Sequence, residues 1–268
     1  MKTVAHISDL HFGAHIPAVA DALRAELHTL SPDLVVVSGD FTQRARRGQF
    51  VQARDYLDQL PRPQIVIPGN HDIPLYDVVR RFVSPLGRYH RYISADENPV
   101  FSDDEIFVAG LNTARSLTWK NGRISHTQLN QLQERLRAAG TRLKIVVTHH
   151  PFIPPPNGAG IDLVGRATLA IPILIEHKVD LLLSGHLHHG YVGDTRAHYP
   201  GSTRGLIAVQ AGTAISRRMR HEPNAYNVLS LERDRIQIET RTWSAGVFTR
   251  LSRITFTRAD QLWQRTDG

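Results

Sequence analysis

The sequence of 268 residues contains no cysteine. Disulfide bonds and thiolate metal ligands are therefore excluded, and a transition-metal site must be built from histidine, aspartate, glutamate or asparagine. No run of 18 apolar residues occurs, so no transmembrane helix is predicted. Lysine and arginine form no block interleaved with aromatic residues, the pattern expected of a surface that follows a nucleic-acid backbone.

Histidine and positive charge are abundant instead. The chain has 15 histidines, a formal net charge of +7 and an isoelectric point near 10.0. Such a charge favours phosphorylated or polyanionic partners. We expect a phosphorylated small-molecule substrate and keep a nucleic acid as a less favoured alternative, and nothing in the sequence indicates an oligomeric state. The apolar N-terminal run is interrupted by His6 and Asp9, which predicts a first core strand rather than a signal peptide. We therefore expect a cytoplasmic protein.

Short apolar, β-branched runs recur along the chain and predict buried strands. These runs are Thr3 to Ile7, Leu34 to Val37, Gln64 to Ile67, Ile106 to Leu111, Lys144 to Val147, Leu181 to Leu183 and Ile207 to Gln210. Helix-period segments lie between the earlier runs, at Val19 to Leu30, Gln49 to Leu60 and Thr127 to Ala138. Ser125 is the candidate N-cap of the last segment. Alternation of strands and helices predicts a sheet with helices packed outside it.

The pattern changes after about Tyr226. Asn227 to Leu231, Ile236 to Thr242 and Val247 to Ile254 alternate apolar and polar residues, which predicts antiparallel strands. The mixed second half indicates two stacked sheets rather than one. The length is compatible with a single domain over residues 1–268.

Potential metal ligands follow five of the predicted strands. The segments are Asp9-Leu10-His11, Gly39-Asp40, Gly69-Asn70-His71-Asp72, His149-His150-Pro151 and Gly185-His186-Leu187-His188. In an open α/β sheet such strand ends converge on one edge, where ligand crevices form. In D-x-H and H-x-H, alternate residues of an extended segment point to the same side, so each pair can aim two donors at one spot.

Each of these residues has an ordinary explanation when taken alone. Asp40 would serve as a turn residue, Asn70 as a residue that tolerates a left-handed backbone, and Asp72 as a cap. Seven residues of ligand type in five glycine- or proline-flanked turns together favour a metal centre. Carboxylate, imidazole and amide donors suit Mn, Fe, Zn or Co better than Ca.

The ordered series of these motifs, over residues 9–188, resembles the calcineurin-like metallophosphoesterase superfamily, and the whole chain is most similar to its bacterial phosphodiesterases of the cyclic-nucleotide type. The resemblance implies an α/β fold that is a four-layered α/β/β/α sandwich of two mixed sheets flanked by helices. It implies two divalent or trivalent ions (Mn²⁺, Fe²⁺/³⁺, Zn²⁺ or Co²⁺). The implied ligands are Asp9, His11 and His188 for the first ion and Asn70, His149 and His186 for the second, with Asp40 bridging them.

The resemblance also implies roles for neighbouring residues. His71 would contact the substrate phosphate or protonate the leaving oxygen, Asp72 would orient the His71 ring, and His150 would be a neighbour of the ligands. Two ions about 3.5 to 4 Å apart would activate a bridging water for attack on phosphorus. Four arginines are candidates for clamping the phosphate: Arg44 and Arg115 first, then Arg217 and Arg218.

The expected reaction is therefore hydrolysis of a phosphodiester, on 3′,5′-cyclic nucleotides or small phosphodiesters such as glycerophosphodiesters. The alternatives within the superfamily are a UDP-diacylglucosamine-type pyrophosphohydrolase, a nuclease and a phosphomonoesterase. A non-catalytic scaffold with the same fold is the alternative from another class. It predicts a broken ligand set, whereas every ligand position is filled in this sequence.

Overall fold

A computed structural model describes residues 1–118, 120–156, 158, 161, 163–202, 204–219 and 222–266. The described residues form thirteen strands and six α-helices. The strands are β1 Lys2–Ile7, β2 Leu34–Val37, β3 Gln64–Val66, β4 Val100–Ser102, β5 Ile106–Leu111, β6 Leu143–Thr148, β7 Leu181–Ser184, β8 Tyr191–Asp194, β9 Ile207–Gln210, β10 Ala225–Leu231, β11 Arg235–Ser244, β12 Val247–Ala259 and β13 Leu262–Arg265. The helices are α1 Pro17–Leu30, α2 Arg47–Leu57, α3 Val78–Val83, α4 Gly87–Tyr92, α5 His126–Ala138 and α6 Ala167–Glu176.

The strands form two mixed sheets. The first sheet has the order β13-β12-β11-β10-β1-β2-β3, with β1, β2 and β3 parallel and β10 to β13 antiparallel. The second has the order β4-β5-β6-β7-β9-β8, in which β5, β6, β7 and β9 are parallel and the two edge strands are antiparallel. The carboxyl ends of the parallel strands are therefore available at one edge of each sheet.

The buried side chains fall into three groups that define four layers. A central group, including Val36, Ile65, Ile145 and Leu183, lies between the two sheets. A second group joins the outer face of the first sheet to α1 and α2, through residues such as Leu23 and Phe50. A third joins the outer face of the second sheet to α5 and α6. The predicted α/β/β/α sandwich is confirmed.

All seven predicted β-branched runs form strands, because each is largely buried and is too short for a helix. The three predicted helices are present, and Ser125 Oγ accepts a hydrogen bond from Gln128 N at 3.1 Å, as expected of an N-cap. The sequence did not indicate α6, because its apolar residues run on without a polar face and Pro172 lies inside it. No described helix is long and apolar enough to span a membrane.

Candidate metal centre and active site

The carboxyl ends of five strands meet at one edge of the sandwich. β1, β2 and β3 are neighbours in the first sheet, and β6 and β7 are neighbours in the second. Contacts between the turns that follow them link the two sheets, since His186 N donates to Asp9 Oδ2 at 3.0 Å and His149 Nδ1 lies 2.7 Å from Ser38 O. These turns carry all seven predicted metal ligands: Asp9, His11, Asp40, Asn70, His149, His186 and His188.

Asp9, His11 and His188 form a first cluster. One candidate ligand atom from each lies within 4.8 Å of the other two. Asp9 Oδ1 is 3.4 Å from His11 Nε2 and 3.8 Å from His188 Nδ1. All three side chains are buried. One carboxylate and two imidazoles are a donor set suited to first-row transition metals.

Asn70, His149 and His186 form a second cluster. Asn70 Oδ1 lies 3.2 Å from His149 Nε2 and 3.0 Å from His186 Nδ1. Asp40 lies between the two clusters, since its Oδ2 is 3.6 Å from His11 Nε2 and 3.4 Å from His149 Nε2. This geometry fits two ion sites that share the Asp40 carboxylate.

In the first cluster, Asp9 and His11 each have one polar atom paired and another left over. Asp9 Oδ2 accepts the hydrogen bond from His186 N–H, and His11 Nδ1 lies 3.4 Å from Thr42 O. Asp9 Oδ1 and His11 Nε2 face each other, are buried and have no hydrogen-bond partner among the described residues. Buried polar atoms are nearly always satisfied. Two unpaired atoms of ligand type at the same spot therefore fit a cation held between them.

In the second cluster, contacts with the backbone likewise orient Asp40 and His149. Asp40 Oδ1 accepts a hydrogen bond from His71 N–H at 2.8 Å, which turns Oδ2 toward His11 and His149. His149 Nδ1 pairs with Ser38 O, which turns Nε2 toward Asn70. A histidine that ligates a metal usually pairs its other ring nitrogen in this way, which fixes the ring orientation. The second cluster is thus also preorganised for an ion.

The backbone is left-handed at five of the seven candidate ligands. The φ angles are +56° at Asp9, +46° at His11, +56° at Asp40, +78° at His186 and +59° at His188. Residues other than glycine seldom adopt such angles, and they concentrate at functional sites where the surrounding structure enforces them. The chain therefore turns sharply after β1, β2 and β7, which aims these side chains into the clusters.

Two glycines pack directly against these ligands. Gly39 has φ +98°, and a Cβ built there would lie 2.5 Å from His149 Nδ1. A Cβ at Gly69 would overlap the carboxylate of Asp40, with Asp40 Cγ at 2.8 Å. The backbone approaches the ligands so closely that only glycine fits.

Burial favours the neutral form of two of the four candidate imidazole ligands. Burial lowers the pKa of His186 to about 3 and that of His188 to about 4, so both are in the uncharged form that binds metals. Burial alone would lower the pKa of His149, but the neighbouring Asp40 carboxylate raises it to about 9. A cation at the second cluster would compete with that proton.

His71 lies at the border between the clusters and solvent. Its ring centroid is 4.9 Å from that of His11, and its Nδ1 lies 2.9 Å from Gln43 O. Arg218 Nη1 lies 2.8 Å from His71 Nε2. A cavity of about 200 Å³, which we call the mouth, opens here. Its lining includes Gln43, Arg44, Asn70, His71, Leu75, Lys120 and Arg218.

The expected role of Asp72 needs correction. Its carboxylate does not reach the His71 ring but accepts hydrogen bonds from the backbone N–H groups of Phe41, Thr42 and Gly69, at 2.9 to 3.2 Å. Asp72 therefore ties the turn after β2 to the turn after β3. The Gln43 carbonyl, not Asp72, is the partner of the His71 ring.

The four candidate arginines differ in whether they line the mouth. Arg44 and Arg218 line the mouth, whereas Arg115 bonds to Gln128 Oε1 and to the Ala114 carbonyl. The structure thus places the Arg115 guanidinium against α5, and Arg115 is not among the described residues that line the mouth. Arg217 is exposed, and only its backbone N–H, which donates to Ala14 O, makes a described hydrogen bond.

His150 is a neighbour of the ligands, as expected. Its Nδ1 lies 2.7 Å from Thr113 Oγ1 and its Nε2 lies 2.8 Å from Lys120 O, so both ring nitrogens are engaged away from the clusters. The sequence reasoning missed the Gln43 carbonyl and gave Arg218 too little weight. A backbone carbonyl carries no sequence signal, and Arg218 lies far along the chain from His71.

Comparisons with known proteins match both the fold and the part of the chain that carries the candidate ligands. The family model for calcineurin-like phosphoesterases matches residues 2–190, a span that contains all seven candidate ligands. A protein from Synechococcus sp., described as a probable cyclic nucleotide phosphodiesterase, is 27% identical over 201 residues, covering 71% of this chain and 74% of that protein. The glycerophosphodiester phosphodiesterase GpdQ of Enterobacter lignolyticus is 30% identical over 202 residues, covering 69% and 70%.

A solved structure shares the whole fold. The crystal structure of a dimetal phosphatase from Danio rerio superposes with a TM-score of 0.67 at 17% identity and covers 96% of this chain and 99% of that one. Fold and family match together define the class, a metal-dependent hydrolase of phosphoric esters. The chain belongs to the calcineurin-like phosphoesterase family.

Proposed function

We propose that this protein is a phosphodiesterase with a dinuclear metal centre, acting on small phosphodiesters such as 3′,5′-cyclic nucleotides or glycerophosphodiesters. The observation that carries the proposal is the pair of ligand clusters with Asp40 between them. The names of the relatives from Synechococcus and Enterobacter support a diester rather than a monoester substrate.

Each cluster would hold one ion. Asp9, His11 and His188 would bind the first ion, and Asn70, His149 and His186 the second, with Asp40 shared. When bound, such ions polarise the phosphoryl oxygens and supply an activated water as nucleophile. The choice between manganese, iron, zinc and cobalt depends on metal availability as much as on these ligands.

The mouth would hold the rest of the substrate. Arg218 and Arg44 supply positive charge beside His71, where the phosphate oxygens not bound to metal would lie. When Arg218 turns to a phosphate oxygen, His71 Nε2 is free to take up a proton from solvent at the mouth, and the resulting imidazolium would pass that proton to the leaving oxygen. The Gln43 carbonyl holds the other nitrogen, so the ring keeps its orientation throughout.

The first test compares bis(p-nitrophenyl) phosphate with p-nitrophenyl phosphate after chelation and restoration with Mn²⁺. We expect diester turnover that is lost on chelation, returns with Mn²⁺ and exceeds monoester turnover. Asn70→Ala should abolish it and lower the metal content measured by atomic emission, because the second cluster loses its amide oxygen. Asn130→Ala, at an exposed position of α5, is the matched control and should change neither quantity.

Two outcomes would contradict the proposal. Faster turnover of the monoester would indicate a phosphomonoesterase. Normal diester turnover in Asn70→Ala, with an unchanged metal content, would remove Asn70 from the centre.

A further inference from the structure

A group of apolar side chains stands out from the surface beside the mouth. Among the described residues, six of the thirteen large hydrophobic side chains that are exposed lie in two short segments. Their exposure ranges from 56% at Phe82 to 83% at Leu117. We call this surface the apolar lip, and it consists of Tyr76, Val78, Val79, Phe82, Val83 and Leu117. An exposed apolar cluster of this kind on a protein surface usually marks an interaction site.

The apolar lip is a fixed structure. Arg81 is buried under it, and its guanidinium donates to the carbonyls of Pro74, Ser116 and Thr118 at 2.6 to 3.0 Å. These bonds fasten α3 to the segment that carries Leu117. Asp77 caps α3 by accepting from Arg80 N at 3.0 Å. The exposed side chains are therefore held outward by the fold.

The lip is continuous with the mouth. Leu75 lines the mouth with His71, and the next residue, Tyr76, is already part of the lip. The Arg44 guanidinium lies 5.7 Å from the centre of the Tyr76 ring, so one side chain belongs to both surfaces. A partner that covers the lip would therefore lie directly over the entrance to the metal centre.

The charge around the lip is positive. Arg80 is an exposed residue of α3, and Arg44, Lys120 and Arg218 border the mouth. Asp77, the N-cap residue of α3, forms an ion pair with Arg80 at 3.0 Å. Exposed apolar side chains ringed by basic ones match a membrane surface that contains anionic lipid. A second copy of this chain would instead bring two basic surfaces together.

We propose that the apolar lip docks onto bilayers containing anionic phospholipid, so that the mouth opens against the lipid headgroups. The apolar side chains would enter the boundary between headgroups and acyl chains, and the basic side chains would pair with lipid phosphates. The proposal goes beyond the hydrolytic function and does not depend on it, because docking uses none of the candidate metal ligands.

The test is co-sedimentation of the intact protein with vesicles of phosphatidylcholine alone and of phosphatidylcholine with phosphatidylglycerol. We expect binding to the anionic vesicles only, and weaker binding at higher salt. Val79→Ser with Phe82→Ser should lower the partition coefficient roughly tenfold or more, because two exposed apolar groups no longer enter the bilayer. Leu251→Ser, at a 65% exposed leucine of β12 outside the lip, is the matched control and should bind as the parent does.

Three results would overturn the docking proposal: no binding to anionic vesicles, equal binding to both kinds of vesicle, or unchanged binding of the double variant. Size-exclusion chromatography tests the alternative that a second copy of this chain covers the lip. A dimer of the parent protein that the double variant fails to form would identify the lip as a contact between two copies instead. Both variants replace exposed side chains, so we expect each to unfold at the same temperature as the parent protein. Turnover of the p-nitrophenyl esters in solution, without vesicles, tests the proposed hydrolytic function separately from docking.

Discussion

The floor and the mouth of the candidate site are built in different ways. The floor consists of the two clusters, whose carboxylates and imidazoles are buried except for the half-buried His186, and in which Asp9, Asp40 and His149 pair with backbone atoms. The mouth consists of longer, partly exposed side chains, such as Arg44 and Arg218. The floor geometry is thus fixed by the fold. The mouth is the part in which a family with one chemistry can vary its substrates.

His71 lies where the two regions meet, and its removal should have a larger effect than any other change at the mouth. We expect His71→Ala to retain metal but to lower turnover by about 10²- to 10⁴-fold, the usual range for a group that transfers a proton. Steady-state kinetics on bis(p-nitrophenyl) phosphate and metal analysis measure the two quantities. His126→Ala, at an exposed position of α5, is the control. Near-normal turnover in His71→Ala would show that His71 does not protonate the leaving oxygen.

Gly69→Ala tests how tightly the floor is packed. The backbone at Gly69 has φ −106°, which alanine adopts freely, so any effect must come from the added methyl group. That methyl would overlap the Asp40 carboxylate. Since a displacement of about 1 Å in a catalytic group can cost about 10²-fold, we expect turnover to fall by about that factor, together with a loss of bound metal.

The control for this variant is the same change at Gly48, near the start of α2. A Cβ there meets no atom within 4 Å. Gly48→Ala should keep full turnover and raise the free energy of unfolding by about 0.5 to 1 kcal/mol, because alanine favours helix more than glycine does. Equal turnover in both variants would mean that the Asp40 carboxylate shifts to make room for the added methyl group without loss of activity.

The fold and the floor were largely predictable from the sequence because both depend on local patterns. A short β-branched run buried on both faces, such as Leu34 to Val37, has one ready interpretation, and polar residues after several such runs must meet at one edge. The helix α6 was not predicted, because an apolar segment with an internal proline shows no helical periodicity.

The mouth was less predictable because its contacts join distant segments. Arg218 reaches His71 across 147 positions of the chain, and no spacing rule selects it over Arg115. Asp72 was assigned to the His71 ring because it is the next residue, yet a 3₁₀ turn over Asn70–Asp72 carries its carboxylate to the backbone of Thr42. Neighbours in sequence often point apart, so roles in the mouth required coordinates.

The smallest expected effect belongs to Arg218, and it separates the mouth from the floor. If Arg218 binds a phosphate oxygen, Arg218→Ala loses one charge-assisted hydrogen bond, worth about 1.5 kcal/mol for a partly exposed group, or about tenfold in kcat/KM. Metal content should not change, because the Arg218 guanidinium contacts His71, which is not a candidate ligand of either cluster. Arg217→Ala removes the same side chain one residue away, where it is exposed, and should keep the parent kcat/KM. Equal effects of the two substitutions would reduce Arg218 to a general contribution of positive charge, whereas a loss of metal in Arg218→Ala would make the mouth part of the support of the floor.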